Sequence, residues 1–245
     1  MIILLGIDDT DNASSRGTGF QARRLGDLLS AEGLAKFRAV TRHQLLVDSR
    51  IDYTSRNSSA CLLLEVSEHD LTSIAEMARA ELQSHCAPDS DVGIAIADPS
   101  SVDRAIQDFS QAAKHEIVSV AAAQALAQEK HVLIEGIVGT GAGVVGALAA
   151  VGLHRSGNDG RFIWLPKLRE IRGTYSAGEL SHLLGVDITT QSGEALPLSA
   201  EIQTVDWMRP IMREGRAILL AEKENQDGQT LWRFADKATV KALSD

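Results

Sequence analysis

Short apolar runs and amphipathic stretches alternate through the first hundred residues, and their order limits what this chain can fold into. Ile2 to Ile7 is a pure Ile/Leu/Gly run and reads as a buried strand. A helix is expected from about Thr18 to Glu32, with Leu25, Leu28 and Leu29 on one face and Gly33 to end it. Lys36 to Leu46 and Ala60 to Val66 read as the second and third strands. Asp70 to Cys86 spaces Ile74, Met77, Ala78 and Leu82 along one helical face, and Asp91 to Ala97 supplies a fourth strand. The order βαββαβ is that of a ferredoxin-like split βαβ unit and predicts an α+β fold class.

Asp98-Pro99-Ser100-Ser101 interrupts the pattern, and Ser100 or Ser101 is expected to cap a helix running to about Lys114. A helix over Val118 to Gln128 and a strand over His131 to Val138 follow. Next come a glycine turn, a helix from Val144 to about His154, and a strand over Arg161 to Leu165. A short helix within Gly173 to Val186 and a terminal hairpin of Ile218 to Glu222 with Thr230 to Phe234 complete the reading. Two closely packed α+β lobes are expected, 1–98 and 99–245, meeting near Asp98.

A chain of 245 residues with 44% apolar content can bury a full core, and its 4% aromatic content leaves Leu, Ala, Val and Ile to fill it. Cys61 and Cys86 form no disulfide framework and have no metal-ligand spacing. No basic leader precedes the first strand, and Ala142 to Leu153 is too short and too rich in glycine to span a bilayer. These features predict a cytoplasmic protein with no membrane partner; the oligomeric state is left open. The net charge of −9 predicts weak nucleic-acid binding by this chain alone, since Lys and Arg neutralising phosphates supply most of such affinity.

Three segments carry chemistry. Asp8-Asp9-Thr10-Asp11 follows the first strand, and carboxylates crowded there repel one another unless a cation sits among them. Hard oxygen donors suit Mg²⁺, so Asp8, Asp9 and Asp11 are candidate metal ligands; the alternative is a polar turn capping the next helix. Gly141-Ala-Gly143-Val-Val-Gly146 matches G-x-G-x-x-G between a strand and a helix. The acidic residue of dinucleotide folds and the Lys of a Walker loop are both missing. What remains is a helix N-terminus suited to an anion through Gly139, Gly141, Gly143 and Gly146, or else a tight packing turn. The turn Tyr53-Thr-Ser-Arg56-Asn57-Ser58-Ser59-Ala60 offers a guanidinium, an amide and hydroxyls to a phosphate or polar substrate, or is an ordinary loop.

Taken together, Gly6-Ile-Asp-Asp-Thr-Asp11 with Arg16-Gly17, the Tyr53 to Ala60 turn, and Gly141 to Gly152 resemble, in the same order, the archaeal tRNA(Ile2) 2-agmatinylcytidine synthetase family. Thr204-Val-Asp206-Trp207 resembles a further short motif there. The resemblance extends over the kinase-like and ferredoxin-like portions of a family that uses ATP to activate a wobble cytidine and attach agmatine. It implies Mg²⁺ and ATP as cofactors, with Asp9 and Arg56 catalytic and Arg16, Thr18 and Asn57 against the nucleotide.

Two departures shape the expectation. The family's OB-fold and zinc ribbon have no counterpart in this chain, and Phe20 falls where the family's phosphorylated threonine would lie; Thr18 could replace it only after a local shift. The sequence therefore predicts an Mg²⁺/ATP-dependent phosphotransferase or ligase-like protein acting on an unknown small-molecule or RNA acceptor. The alternatives are a non-catalytic nucleotide-binding module and a tRNA-modification subunit that depends on a separate RNA-binding partner.

Overall fold

The computed structural model describes residues 1–51, 57–67, 70–204, 208–226 and 229–245. The chain is mixed α+β and divides into two compact units, Met1–Ser156 and Gly157–Asp245. The Asp98 break is therefore a turn inside the first unit. Asp98 Oδ1 accepts hydrogen bonds from Ser100 N (2.7 Å) and Ser100 Oγ (2.6 Å), which closes the turn on itself.

In the first unit, β1 (Ile2–Asp8), α1 (Thr18–Ala31), β2 (Ala35–Gln44), β3 (Ser58–Val66), α2 (Leu71–His85) and β4 (Gly93–Ala97) follow the expected order. Their strands lie as β4-β1-β3-β2, all neighbours antiparallel, which is the ferredoxin-like arrangement. Gly6 pairs with Cys61 on one side and Ala95 on the other, so β1 is central. Both of its faces are covered, and this accounts for a strand with no polar alternation. α1 packs against β2 and β3, with α2 beside it.

Four more elements complete this unit: α3 (Arg104–His115), α4 (Val120–Glu129), β5 (Leu133–Gly136) and α5 (Val144–Ser156). β5 adds antiparallel to β4 and extends the sheet. α5 is buried all round from Val144 to Leu153 apart from Val145, as its uniformly apolar sequence requires. It packs on β1, β3 and β4 and is covered in turn by α3 and α4. Leu4, Ala95, Ala147, Leu148 and Val151 share one core with Ile106 of α3 and Ala123 and Ala127 of α4. This core carries the first unit to Ser156. α3 is capped by Asp103, whose carboxylate accepts from Ala105 N (2.9 Å) and Ile106 N (3.3 Å), in place of the serines expected there.

The second unit holds β6 (Arg161–Trp164), β7 (Gly173–Ser176), α6 (Ala177–Leu184), β8 (Asp187–Thr189), β9 (Glu201–Thr204), β10 (Ile211–Arg213), β11 (Arg216–Gln226), β12 (Gln229–Phe234) and α7 (Lys237–Ser244). The expected terminal hairpin is present as β11 and β12, paired from Ala221 with Phe234 onward. Leu168, Leu180, Ile188, Ile202, Met208 and Leu219 form its separate core. Of the Thr204 to Trp207 motif only Thr204 belongs to the described residues, buried and donating its hydroxyl to Gly173 O at 2.8 Å. Among the described residues no helix is long and apolar enough to cross a membrane.

Candidate functional site

Asp8, Asp9, Asp11, Thr18, Asn57, Gly143 and Gly146 all line one cleft of about 210 Å³ in the first unit. Residues from three distant stretches of the sequence thus meet at the C-terminal end of β1. Arg56 lies outside the described residues. Arg16 does not line the cleft: its guanidinium sits 4.5 Å from the centre of the Phe20 ring on the exposed side of α1, a cation–π contact. Gly139 and Gly141 are also outside the lining, packed against Asp91 and Gly136 respectively.

The three aspartates have different surroundings. Asp8 ends β1, and loss of hydration on burial, with repulsion from Asp9 and Asp11, pushes its carboxyl up to about 7 despite a backbone hydrogen bond from Asp9. Asp9 has φ 55°, in the left-handed region that Asp tolerates better than most side chains. Its Oδ2 accepts from Asp91 N at 3.2 Å. Asp11 Oδ1 accepts from Thr18 N (3.1 Å) and Thr18 Oγ1 (3.0 Å), which ties the acidic loop to the start of α1. Among the described residues no three His, Cys, Asp or Glu side chains are gathered so as to hold one ion. Asp9 and Asp11 each engage one oxygen, with Asp91 and Thr18 respectively, and both still line the cleft beside Asp8.

The glycine motif splits into two parts with different partners. In the 139–141 turn the anion is the protein's own: Thr140 N donates to Asp91 Oδ1 and Thr140 Oγ1 donates to Asp91 Oδ2 at 2.9 Å. The Thr140 amide is therefore occupied, and Gly139 and Gly141 stand apart from the cleft that Gly143 and Gly146 line. Gly143 immediately precedes α5 and Gly146 lies in its first turn. A Cβ at Gly143 would overlap the backbone of Asp91 and Gly93, so packing alone demands glycine there. A Cβ at Gly146 would overlap Asp8 Oδ2, so the first turn of α5 lies directly against that carboxyl. A helix N-terminus favours negative charge, and here it faces Asp8 and the cleft together.

The remaining wall is apolar and was not foreseen. Leu45, Ile51, Ala113, Ile117, Val118, Val120 and Val145 line it, with Glu116 among them. Most come from the junction of α3 and α4, where Ile117 is 48% exposed, high for an isoleucine. Ile117 in the short connection between two helices was the available signal; Val118 beside it packs against Leu45, Ala113, Ala149 and Leu153. Asn57 is held in place by donating its side-chain amide to Leu46 O at 2.7 Å. Among the described residues no Lys, Arg or His side chain lines the cleft.

No family model and no curated protein matches the chain. Among solved structures, apo TiaS, the tRNA(Ile2) agmatidine synthetase, has a similar fold, with a TM-score of 0.54 and 21% identity over 62% of this chain and 35% of that one. The TiaS–tRNA(Ile2)–ATP complex gives a TM-score of 0.55 at 22% identity, over 62% of this chain and 36% of that one. A tRNA fluorescent labelling enzyme gives 0.54 at 23% identity, with coverage of 62% and 36%. This chain therefore spans little more than a third of those proteins. What it shares with them, at these identities, is the fold.

Proposed function

We propose that the cleft of the first unit binds ATP with Mg²⁺ and serves a nucleotide-dependent enzyme related to tRNA modification. One observation carries this reading: the acidic strand end, the Asn57 segment and the start of α5 converge on one cleft. Those are the segments that resemble the tRNA(Ile2)-modifying family, and TiaS, which shares the fold, is described in complex with ATP.

The donor set fits magnesium, which usually takes one or two protein carboxylates and completes its shell with water and phosphate oxygens. Asp8 faces the cleft and would be the first such ligand, with Asp9 and Asp11 adding negative charge beside it. The ion, when bound, would neutralise phosphate oxygens in a cleft whose described walls carry no basic side chain. The first turn of α5 would meet the phosphates, Thr18 and Asn57 would hydrogen-bond the ligand, and the apolar wall would cover the base. Arg56, next to Asn57 in sequence, is the proposed partner of the transferring group. The acceptor is an RNA or a small molecule.

A second reading rests on the same lining. Four carboxylates, of Asp8, Asp9, Asp11 and Glu116, beside an apolar wall also suit an organic cation, and one TiaS complex is described with agmatine as well as AMPCPP. Thermal-shift titration with ATP, with and without Mg²⁺, and with agmatine alone separates the two readings. The first expects a shift that needs both ATP and metal. An agmatine shift without nucleotide, and none with Mg·ATP, would replace it.

A further inference from the structure

Asp91 stands just before β4 and does not line the cleft, yet four of its atoms bind what does or what adjoins it. Its backbone N–H donates to Asp9 Oδ2 at 3.2 Å, and its carbonyl accepts from Gly143 N at 2.8 Å. Its two carboxylate oxygens accept from the amide and the hydroxyl of Thr140, the latter at 2.9 Å. One residue thus joins the acidic loop, the glycine turn and the first turn of α5. None of those three segments is adjacent to another in sequence except the last two.

We infer that Asp91 is a positioning residue for this cleft: its carboxylate anchors the Thr140 turn, which seats the start of α5, while its backbone N–H holds Asp9 beside Asp8. The inference rests on the nucleotide reading above. Asp9 is in the left-handed region, and the bond from Asp91 N is one contact that holds it there. Gly143 hangs from the same residue's carbonyl, so a shift of the 91 backbone moves both walls of the cleft at once. The two main-chain bonds of Asp91 involve its N–H and C=O, which Ala and Asn retain. Side-chain variants therefore report on the carboxylate–Thr140 contact alone. Supporting contacts of this kind, when removed, typically cost about 10- to 100-fold in affinity at the site they orient.

The test is calorimetric titration of Mg·ATP into the wild-type protein, Asp91→Ala, Asp91→Asn, Thr140→Val and the Asp91→Ala/Thr140→Val double variant, each beside its unliganded melting temperature. Affinity should fall most in Asp91→Ala, by about tenfold or more. Asp91→Asn keeps one acceptor and Thr140→Val keeps the amide donor, so both should fall less. The double variant should bind no more weakly than Asp91→Ala, since both changes break one contact. Should Asp91→Ala fail to fold, Asp91→Asn and Thr140→Val carry the same comparison. Variants that melt lower but bind as tightly as wild type would overturn the positioning role. A wild-type protein that does not bind Mg·ATP would overturn the nucleotide reading itself, and this inference with it.

Discussion

The carboxyl of Asp8 lies directly against Gly146, close enough that a single added methyl group at residue 146 would overlap it. The end of β1 and the start of α5, far apart in sequence, are thereby fixed in one geometry, with an acid and a helix N-terminus sharing one wall of the cleft.

Gly146→Ala should disturb that wall without breaking the fold. The added Cβ meets the short Asp8 side chain, which must turn aside, at a cost of about 1–3 kcal/mol for overpacking. Gly143→Ala meets backbone at Asp91 and Gly93, which cannot turn aside, and should destabilise more. Urea denaturation of both variants checks the order, and Gly146→Ala should lose its response to Mg·ATP while remaining folded.

His154 supplies a pH dependence independent of the cleft. It is half-buried on α5, and its Nδ1 lies 2.8 Å from Thr41 Oγ1, whose other side contacts the buried His43 Nε2 at 2.8 Å. Burial, with the His43 ring nearby, pulls its pKa from 6.5 down to about 3. The folded state keeps it neutral where the unfolded chain takes up a proton. Stability from this group is therefore full above about 6.5 and is lost as pH falls towards 3. The slope should approach about 1 kcal/mol per pH unit in that window, and His154→Gln should flatten it in denaturation curves taken from pH 7 to pH 4.

Residues 1–156 expressed alone should fold and keep the ligand response, because every described residue lining the cleft belongs to that unit and its core is its own. Circular dichroism and a thermal-shift titration of that fragment are the check. A fragment that folds but no longer responds to Mg·ATP would place part of the site beyond Ser156.

Much of this was legible in the sequence, for identifiable reasons. The βαββαβ order could be read because β1 is apolar throughout while α1 and α2 carry one-sided spacing, so element type followed from period. Asp8, Asp9, Asp11, Thr18, Asn57, Gly143 and Gly146, which line one cleft, could be singled out because each sits at or near a strand end or helix start, where such residues have few other reasons to cluster. Asp98-Pro99-Ser100-Ser101 has the composition of a linker, whereas the compact unit runs on to Ser156; the apolar all-round pattern of α5, which ties it to the first sheet, gives no hint of which sheet it joins. Asp91 could not be found, since a lone Asp before an apolar strand looks the same whether it closes a local turn or, as here, holds Thr140. Strands such as β8 and β10, of three residues each, are too short to show a period.

The most direct test of the account is the thermal shift of the wild-type protein and Asp8→Asn with ATP, in the presence and absence of Mg²⁺. Asp8→Asn replaces a carboxyl that burial and its neighbours disfavour as a charge, so unliganded stability should hold or rise. Wild type should gain stability only when ATP and Mg²⁺ are both present, by about 2.7 kcal/mol at a hundredfold excess over Kd, and Asp8→Asn should gain none. A full Mg·ATP shift in Asp8→Asn, or none in wild type, would contradict the assignment of this cleft as a metal–nucleotide site.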